Sequence, residues 1–226
     1  MKDPAVFSRS SKGRLTDRDL DRFPGDTLFD RVAQTVCHAG CLPRKELYEA
    51  WEVARRVRRL FRGGRVVDLG AGHGLLAHVM LLLDDSSPEA LAVDTTVPAS
   101  SAKLRDVFVQ AWPRLAGRIV AVAGSIEEVE ILSTDVVVSS HACGALTDVV
   151  LARAAQAHAR VAVLPCCHDL DACDPGALTG WIDGPLAIDL KRALDLEGRG
   201  YQIWTQTIAS DITPKNRLLI GAPRPF

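Results

Sequence analysis

Two short stretches concentrate the side chains able to do chemistry, "SSHACGALTD" (139–148) and "VLPCCHDLDAC" (163–173). They bring His141, Cys143, Cys166, Cys167, His168 and Cys173 within 33 residues of one another. Imidazoles at such positions serve as general bases, and thiols serve as nucleophiles or as soft-metal ligands. The spacing alone leaves three readings open: a zinc site, the floor of an active site, or filling at the end of a buried strand. A third stretch, "VVDLGAGHG" (66–74), is rich in glycine and carries a carboxylate two residues before the first glycine. What any of these can do depends on the elements that position them.

Those elements are legible from residue 65 onward. Short runs rich in Val, Ile and Leu recur as "RVVDLG" (65–70), "ALAVD" (90–94), "RIVAVAG" (118–124), "DVVVSS" (135–140) and "RVAVLP" (160–165). Each is continuously apolar, the signature of parallel strands covered on both faces. The intervening segments, such as "GLLAHVMLLL" and "ALTDVVLARAAQAH", are long enough for crossover helices. A helix follows near 187–198, and "YQIWTQTIAS" and "RLLIGAP" around the turn "DITPKN" read as an antiparallel hairpin. The expected fold is α/β: a Rossmann-like doubly wound sheet, mostly parallel, closed by a C-terminal antiparallel hairpin and preceded by N-terminal helices. The division expected is an N-terminal helical extension over 1–62 and a catalytic domain over 63–226, with residues 1–26 polar and loose.

In that frame the glycine-rich stretch becomes the first strand-to-helix turn. Gly70, Ala71, Gly72 and Gly74 would let the backbone turn sharply and approach a ligand at the free N–H groups of a helix start. Asp94, at the end of the second strand, stands where a carboxylate accepts hydrogen bonds from ribose hydroxyls. Ser125 and Ile126, after the third strand, fall where an adenine ring would lie. Asp68 separates two cofactors. A carboxylate at this point suits an amino-acid ammonium group and repels a pyrophosphate, which favours S-adenosylmethionine over NAD. A tight turn with no ligand is the bland alternative.

The same topology sends the two Cys/His stretches to the carboxyl edge of the sheet, where ligands of doubly wound folds bind. His141, Cys143, Cys166 and His168 then become candidates for the acceptor side of a group transfer, with His141 the first choice of general base and His168 the second. No metal is expected. Cys166 and Cys167, as neighbours at a strand end, should point in different directions, and Cys37 and Cys41 are read as core residues. A set of His141, Cys143, Cys166 and Cys173 remains the zinc alternative should the loop fold back.

Taken together, "DLGAGHG", "HACGALTD" and "PCCH" resemble the class I S-adenosylmethionine-dependent methyltransferases that carry His-x-Cys-Gly and Pro-Cys-Cys-His motifs, a group related to tRNA 2′-O-methyltransferases of the acceptor stem. The resemblance covers about residues 60–170. It implies cofactor contacts at Asp68, Gly70, Gly72 and Asp94, and an acceptor-side motif at His141, Cys143, Gly144, Cys166, Cys167 and His168. Asp169 departs from the tRNA enzymes, which have a second histidine there. Their additional zinc-binding modules have no counterpart here.

Composition limits the remaining choices. Hydrophobic residues make up 47% of 226 and charged residues 24%, which suits one domain with a large core. The most apolar stretch, "LLAHVMLLLDD", meets a charge pair too soon to span a bilayer. Six cysteines, two adjacent, fit reduced thiols in a cytoplasmic monomer better than a disulfide framework. The net charge of −1 conceals a net of +6 over residues 1–65 and −7 over the rest. Six arginines gather in "RRVRRLFRGGR" (55–65), which could solvate a helix face or meet a polyanion such as RNA. The function expected is methyl transfer, with RNA one possible acceptor. The alternatives are a non-catalytic RNA- or zinc-binding protein on the same fold, and an NAD-dependent oxidoreductase.

Overall fold

The computed structural model describes residues 7–225. Among the described residues, seven strands form one sheet: β1 (Val66–Leu69), β2 (Ala90–Asp94), β3 (Ile119–Ala123), β4 (Val136–Ser139), β5 (Arg160–Val163), β6 (Tyr201–Thr207) and β7 (Arg217–Pro223). Their order is β3-β2-β1-β4-β5-β7-β6, with β1 to β5 parallel and β7 antiparallel to both β5 and β6. This is the doubly wound sheet with a reversed hairpin that the apolar runs and the final turn predict. The order reverses between β1 and β4, and that switch point opens a crevice at the carboxyl edge.

Among the described residues, six α-helices flank the sheet: α1 (Leu28–Ala39), α2 (Arg44–Leu60), α3 (Leu75–Leu83), α4 (Ser101–Ala111), α5 (Leu146–Gln156) and α6 (Gly184–Gly198). Local sequence explains several ends. Thr27 accepts the Asp30 N–H at the start of α1, and Gly40 closes it in the left-handed conformation. Asp183 accepts the Leu186 N–H at the start of α6. On one face of the sheet a continuous core joins Leu15, Val36, Leu47, Val57 and Phe61 to Val66, Leu76, Met80 and Ile220. On the other, Val67, Leu69, Val137, Val150 and Tyr201 form a second core. The N-terminal helices therefore share their core with the sheet.

Two expectations change here. The stretch up to residue 26 is not loose over its described part. Leu15 and Phe23 are fully buried, Asp17–Arg22 forms a short 3-10 helix, and the Leu15 N–H donates to the Leu42 carbonyl at 2.9 Å. Leu15 and Phe23, with Phe7 and Leu20 packed beside the same core, hold this segment in place.

The arginine-rich segment is not a free basic face either. Arg58 is 2% exposed and ion-paired with the equally buried Asp84 at 3.1 Å, although without hydrogen-bond alignment at that Nη1. It also donates to the Met80 carbonyl and Ser87 Oγ. Arg55 and Arg56 share Glu52, and Arg65 donates to Asp135 at 2.7 Å. Only Arg59 and Arg62 are well exposed, and Arg62 still leans on the Leu83 carbonyl. Pattern counting could not see the i−3 and i−4 glutamate or the buried partner in the next loop. Among the described residues, no helix is long and apolar enough to cross a membrane.

Candidate functional site

The glycine turn and the end of β2 meet in a cleft of about 150 Å³ at the carboxyl edge of β1, β2 and β4. Its walls are Gly70, Ala71, Gly72 and His73 from the turn, Asp94 from β2, Ser140 and His141 after β4, and Glu46 and Ala50 from α2. Gly72 has a φ of +54°, and a Cβ built on it would meet nothing within 4 Å. Glycine is needed there for the backbone conformation, and the space in front of it is open. The Gly72 N–H donates to Asp94 Oδ2 at 2.8 Å, while Asp94 Oδ1 accepts the Thr96 N–H at 3.2 Å. Gly74, at φ +81°, caps α3 and packs against Ala92 of β2.

The remaining cofactor-side candidates lie around the cleft rather than in it. Asp68 is buried behind the turn, where its carboxylate accepts the Ala77 N–H at 3.2 Å and so holds the first turn of α3. Burial pushes its pKa up to about 7, with the Asp94 charge adding to the effect and the Ala77 hydrogen bond opposing it. Ile126 is a core residue, and Ser125 Oγ accepts the Glu127 N–H. Neither lines the cleft.

Glu46 does line it, and the sequence reading missed it. Burial, and then repulsion from Glu49, raises its carboxyl to about 7. The signal was available: Glu46 and Glu49 fall in register with Ala50, Val53 and Val57, so two carboxylates interrupt the apolar stripe of α2. His73, also missed, bonds Ser100 Oγ through Nε2 at 2.9 Å.

On the acceptor side, His141 enters the cleft. Burial pushes its imidazole below the ordinary value, Lys45 adds to this, and Asp94 partly opposes it. That direction favours the neutral imidazole, the form able to accept a proton. The loop that carries it is pinned: the Ala142 N–H donates to Ser139 Oγ, Thr147 Oγ1 donates to the Ala142 carbonyl, and Arg192 donates to the Gly144 carbonyl. The His168 side chain is buried, and its Nε2 donates to Asp189 Oδ1 at 2.8 Å. Asp189 also receives Arg217 at 2.6 Å. Although its burial acts the other way, the bonds from His168 and Arg217 hold its carboxyl below the ordinary range. His168 is thus fixed in a charged network, away from the walls of the cleft. A larger cavity, about 420 Å³, runs beside this network between α6 and the β6–β7 hairpin, lined by Pro165, Asp189 and Leu190 among others. It is the smaller cleft that holds the glycine turn, Asp94 and His141.

The cysteines correct one premise. Strand β5 stops at Val163, so Cys166 and Cys167 lie in irregular backbone and do not alternate across a strand. Their thiols converge with that of Cys143, all three within 4.8 Å of one another. Cys173 does not join them; it is buried and receives Arg192 at 3.6 Å. Cys37 and Cys41 are buried in the helical layer.

With this geometry established, comparison with known proteins is direct. A methyltransferase domain family matches residues 45–172, more than half of the chain. The chain belongs to that family. A comparison with curated proteins finds no match. Among solved structures, an O-methyltransferase family protein from Burkholderia thailandensis superposes with a TM-score of 0.53 at 17% identity, covering 96% of this chain and 65% of that one. An O-methyltransferase from Nostoc punctiforme, described as putative, gives 0.54 at 16%, covering 91% and 67%. The mitomycin 7-O-methyltransferase MmcR gives 0.53 at 18%, covering 93% and 64%. The chain thus spans about two thirds of these proteins' length, and at such identities the likeness is one of fold.

Proposed function

We propose that this protein transfers the methyl group of S-adenosylmethionine to a nucleophile presented between the loops after β4 and β5. The observation that carries the cofactor assignment is the Asp94 carboxylate set against the Gly72 N–H, with open space in front of Gly72. These features fit a nucleoside cofactor: the glycine turn admits it closely, and Asp94 has lone pairs left for ribose hydroxyls. Glu46, in the wall of the cleft, suits an ammonium group, whereas Asp68 supports the turn from behind. At about 150 Å³ the cleft would enclose only part of such a cofactor and leave the rest at the surface.

The sulfonium supplies an electrophilic methyl group when the cofactor is bound. The protein's own work is then alignment and proton removal. The neutral His141 imidazole accepts a proton from a hydroxyl or amine acceptor. The Asp189 network holds His168, and Arg192 holds Gly144, so both loops keep a fixed geometry against the cleft. We assign the protein to a reducing compartment, because Cys143 and Cys167 are exposed thiols.

RNA is the acceptor class to test first, although its proposed contact reduces to Arg59 and Arg62 at the end of α2. The deciding experiment supplies labelled cofactor with fractionated tRNA, rRNA, protein and small-molecule pools. Label should enter one pool with wild type and none with His141→Ala. Failure to label any pool would count against the reading.

A further inference from the structure

Cys143, Cys166 and Cys167 form a cluster that methyl transfer does not require. Sγ of Cys143 lies 2.7 Å from Sγ of Cys166, and the latter lies 3.8 Å from Sγ of Cys167. All three fall within the span of one ion. In a tetrahedral zinc site with Zn–S bonds of about 2.3 Å, neighbouring sulfurs stand about 3.8 Å apart. The Cys166–Cys167 pair already has that separation, and the Cys143–Cys166 pair needs to open by about 1 Å.

The sheet makes this convergence a property of the fold. Ser139 and Val163 are register partners on adjacent parallel strands, and the Leu164 N–H donates to the Ser139 carbonyl at 2.9 Å. Cys143 follows the end of β4 by four residues and Cys166 follows the end of β5 by three. Each loop is then tied down beyond its cysteines, one through the Gly144 carbonyl to Arg192 and the other through His168 to Asp189. Three soft ligands are thus presented together, with no carboxylate in the group to favour a hard cation.

We propose that Cys143, Cys166 and Cys167 bind one zinc ion as three thiolates, with the fourth position open to water or to a ligand atom. Cys143 and Cys167 are exposed, so solvent reaches the open side of the cluster. Three protein ligands with an open position is the arrangement of reactive rather than purely structural zinc. The site stands two residues from His141 in the same pinned loop. The proposal rests on the thiol geometry alone and does not depend on the methyl-transfer reading.

The test uses full-length protein, reduced and handled without oxygen, titrated with zinc against a chromophoric chelator and in parallel with cobalt. One equivalent of zinc should be retained, and cobalt should give intense near-ultraviolet thiolate-to-metal absorption. Cys143→Ser, Cys166→Ser and Cys167→Ser should each weaken binding at least about tenfold, while Cys37→Ser should not. Circular dichroism of each variant without metal checks that it still folds. No thiolate absorption with excess cobalt, or zinc binding unchanged in a folded triple variant, overturns the proposal. So does reduced protein that takes up no zinc but on oxidation loses two thiols as a Cys143–Cys166 disulfide.

Discussion

The Asp94 carboxylate receives the backbone N–H of Gly72 at 2.8 Å, tying the end of β2 to the turn that opens α3. One acidic side chain thereby both shapes the glycine turn and faces the cleft. Hydrogen bonds to a charged group are worth about 1.5–3 kcal/mol each. Asp94→Ala should therefore weaken binding of S-adenosylhomocysteine by about ten- to a hundredfold, measured by calorimetry. Gly72→Val should abolish it, since the side chain fills open space and the φ of +54° strains any residue but glycine. Retained affinity in a folded Gly72→Val variant would remove the cofactor assignment.

His141 predicts the acid limb of the rate profile. A general base works when neutral, so the rate falls as pH drops through its pKa. Burial and Lys45 set that value below the ordinary 6.5, with Asp94 opposing. Methyl transfer should be level near neutrality and turn down only on the acid side of 6.5. His141→Ala should lower kcat at least about a hundredfold, the usual worth of a general base, and flatten that limb. A downturn that persists unchanged in the variant assigns the proton to another group.

Glu46 predicts a pH dependence of stability in the absence of cofactor. Its folded value, about 7, lies above the ordinary 4.5 because of burial and then Glu49. Between those values the unfolded chain loses its proton first, so this group's contribution to stability is lost as pH rises through the window. Glu46→Gln should match wild type at pH 4 and melt at a higher temperature at pH 8. Equal differences at both pH values would show that Glu46 does not titrate in the folded protein as its burial requires.

Arg58 and its neighbours separate a structural role from RNA binding. Arg58→Met removes the buried guanidinium from Asp84, which keeps hydrogen bonds from Gly63 and Ser86, and should lower Tm by several degrees. Arg59→Ala with Arg62→Ala should leave Tm nearly unchanged. If RNA meets this edge, the double variant weakens binding and reduces its salt dependence by about two charges. Binding that ignores both salt and the double variant would put RNA elsewhere or exclude it.

His168 predicts a split between binding and turnover. It lies in a network with Asp189 and Arg217 and does not line the cleft, so His168→Ala should leave affinity for the cofactor unchanged. Methyl transfer should fall at least about tenfold as the loop after β5 loses its anchor. Lost cofactor affinity would instead link this network to the glycine turn.

The sheet was readable because each parallel strand is a continuous apolar run, and the reversed hairpin because a short turn separates two strands. The glycine turn and Asp94 were readable because a backbone turn at a strand end constrains both residue types and spacing. Glu46 and Glu49 interrupt the apolar stripe of α2, but only docking of the helix over the cleft shows that Glu46 lines it. The charge of 55–65 misled because its partners, Asp84 and Asp135, lie in distant segments. The convergence of Cys143 with Cys166 and Cys167 depends on β4 and β5 being neighbours and on where β5 ends. Periodicity supplies the first approximately and the second not at all.

The most direct test of the central claim is calorimetric titration of the purified protein with S-adenosylmethionine and S-adenosylhomocysteine, alongside the Asp94→Ala variant. Methyl transfer from this cofactor through the cleft at Gly72 and Asp94 predicts saturable binding of one equivalent of either compound, weakened by about ten- to a hundredfold in the variant. No heat of binding from wild type, with a folded protein and no rise in Tm at high cofactor concentration, would contradict it.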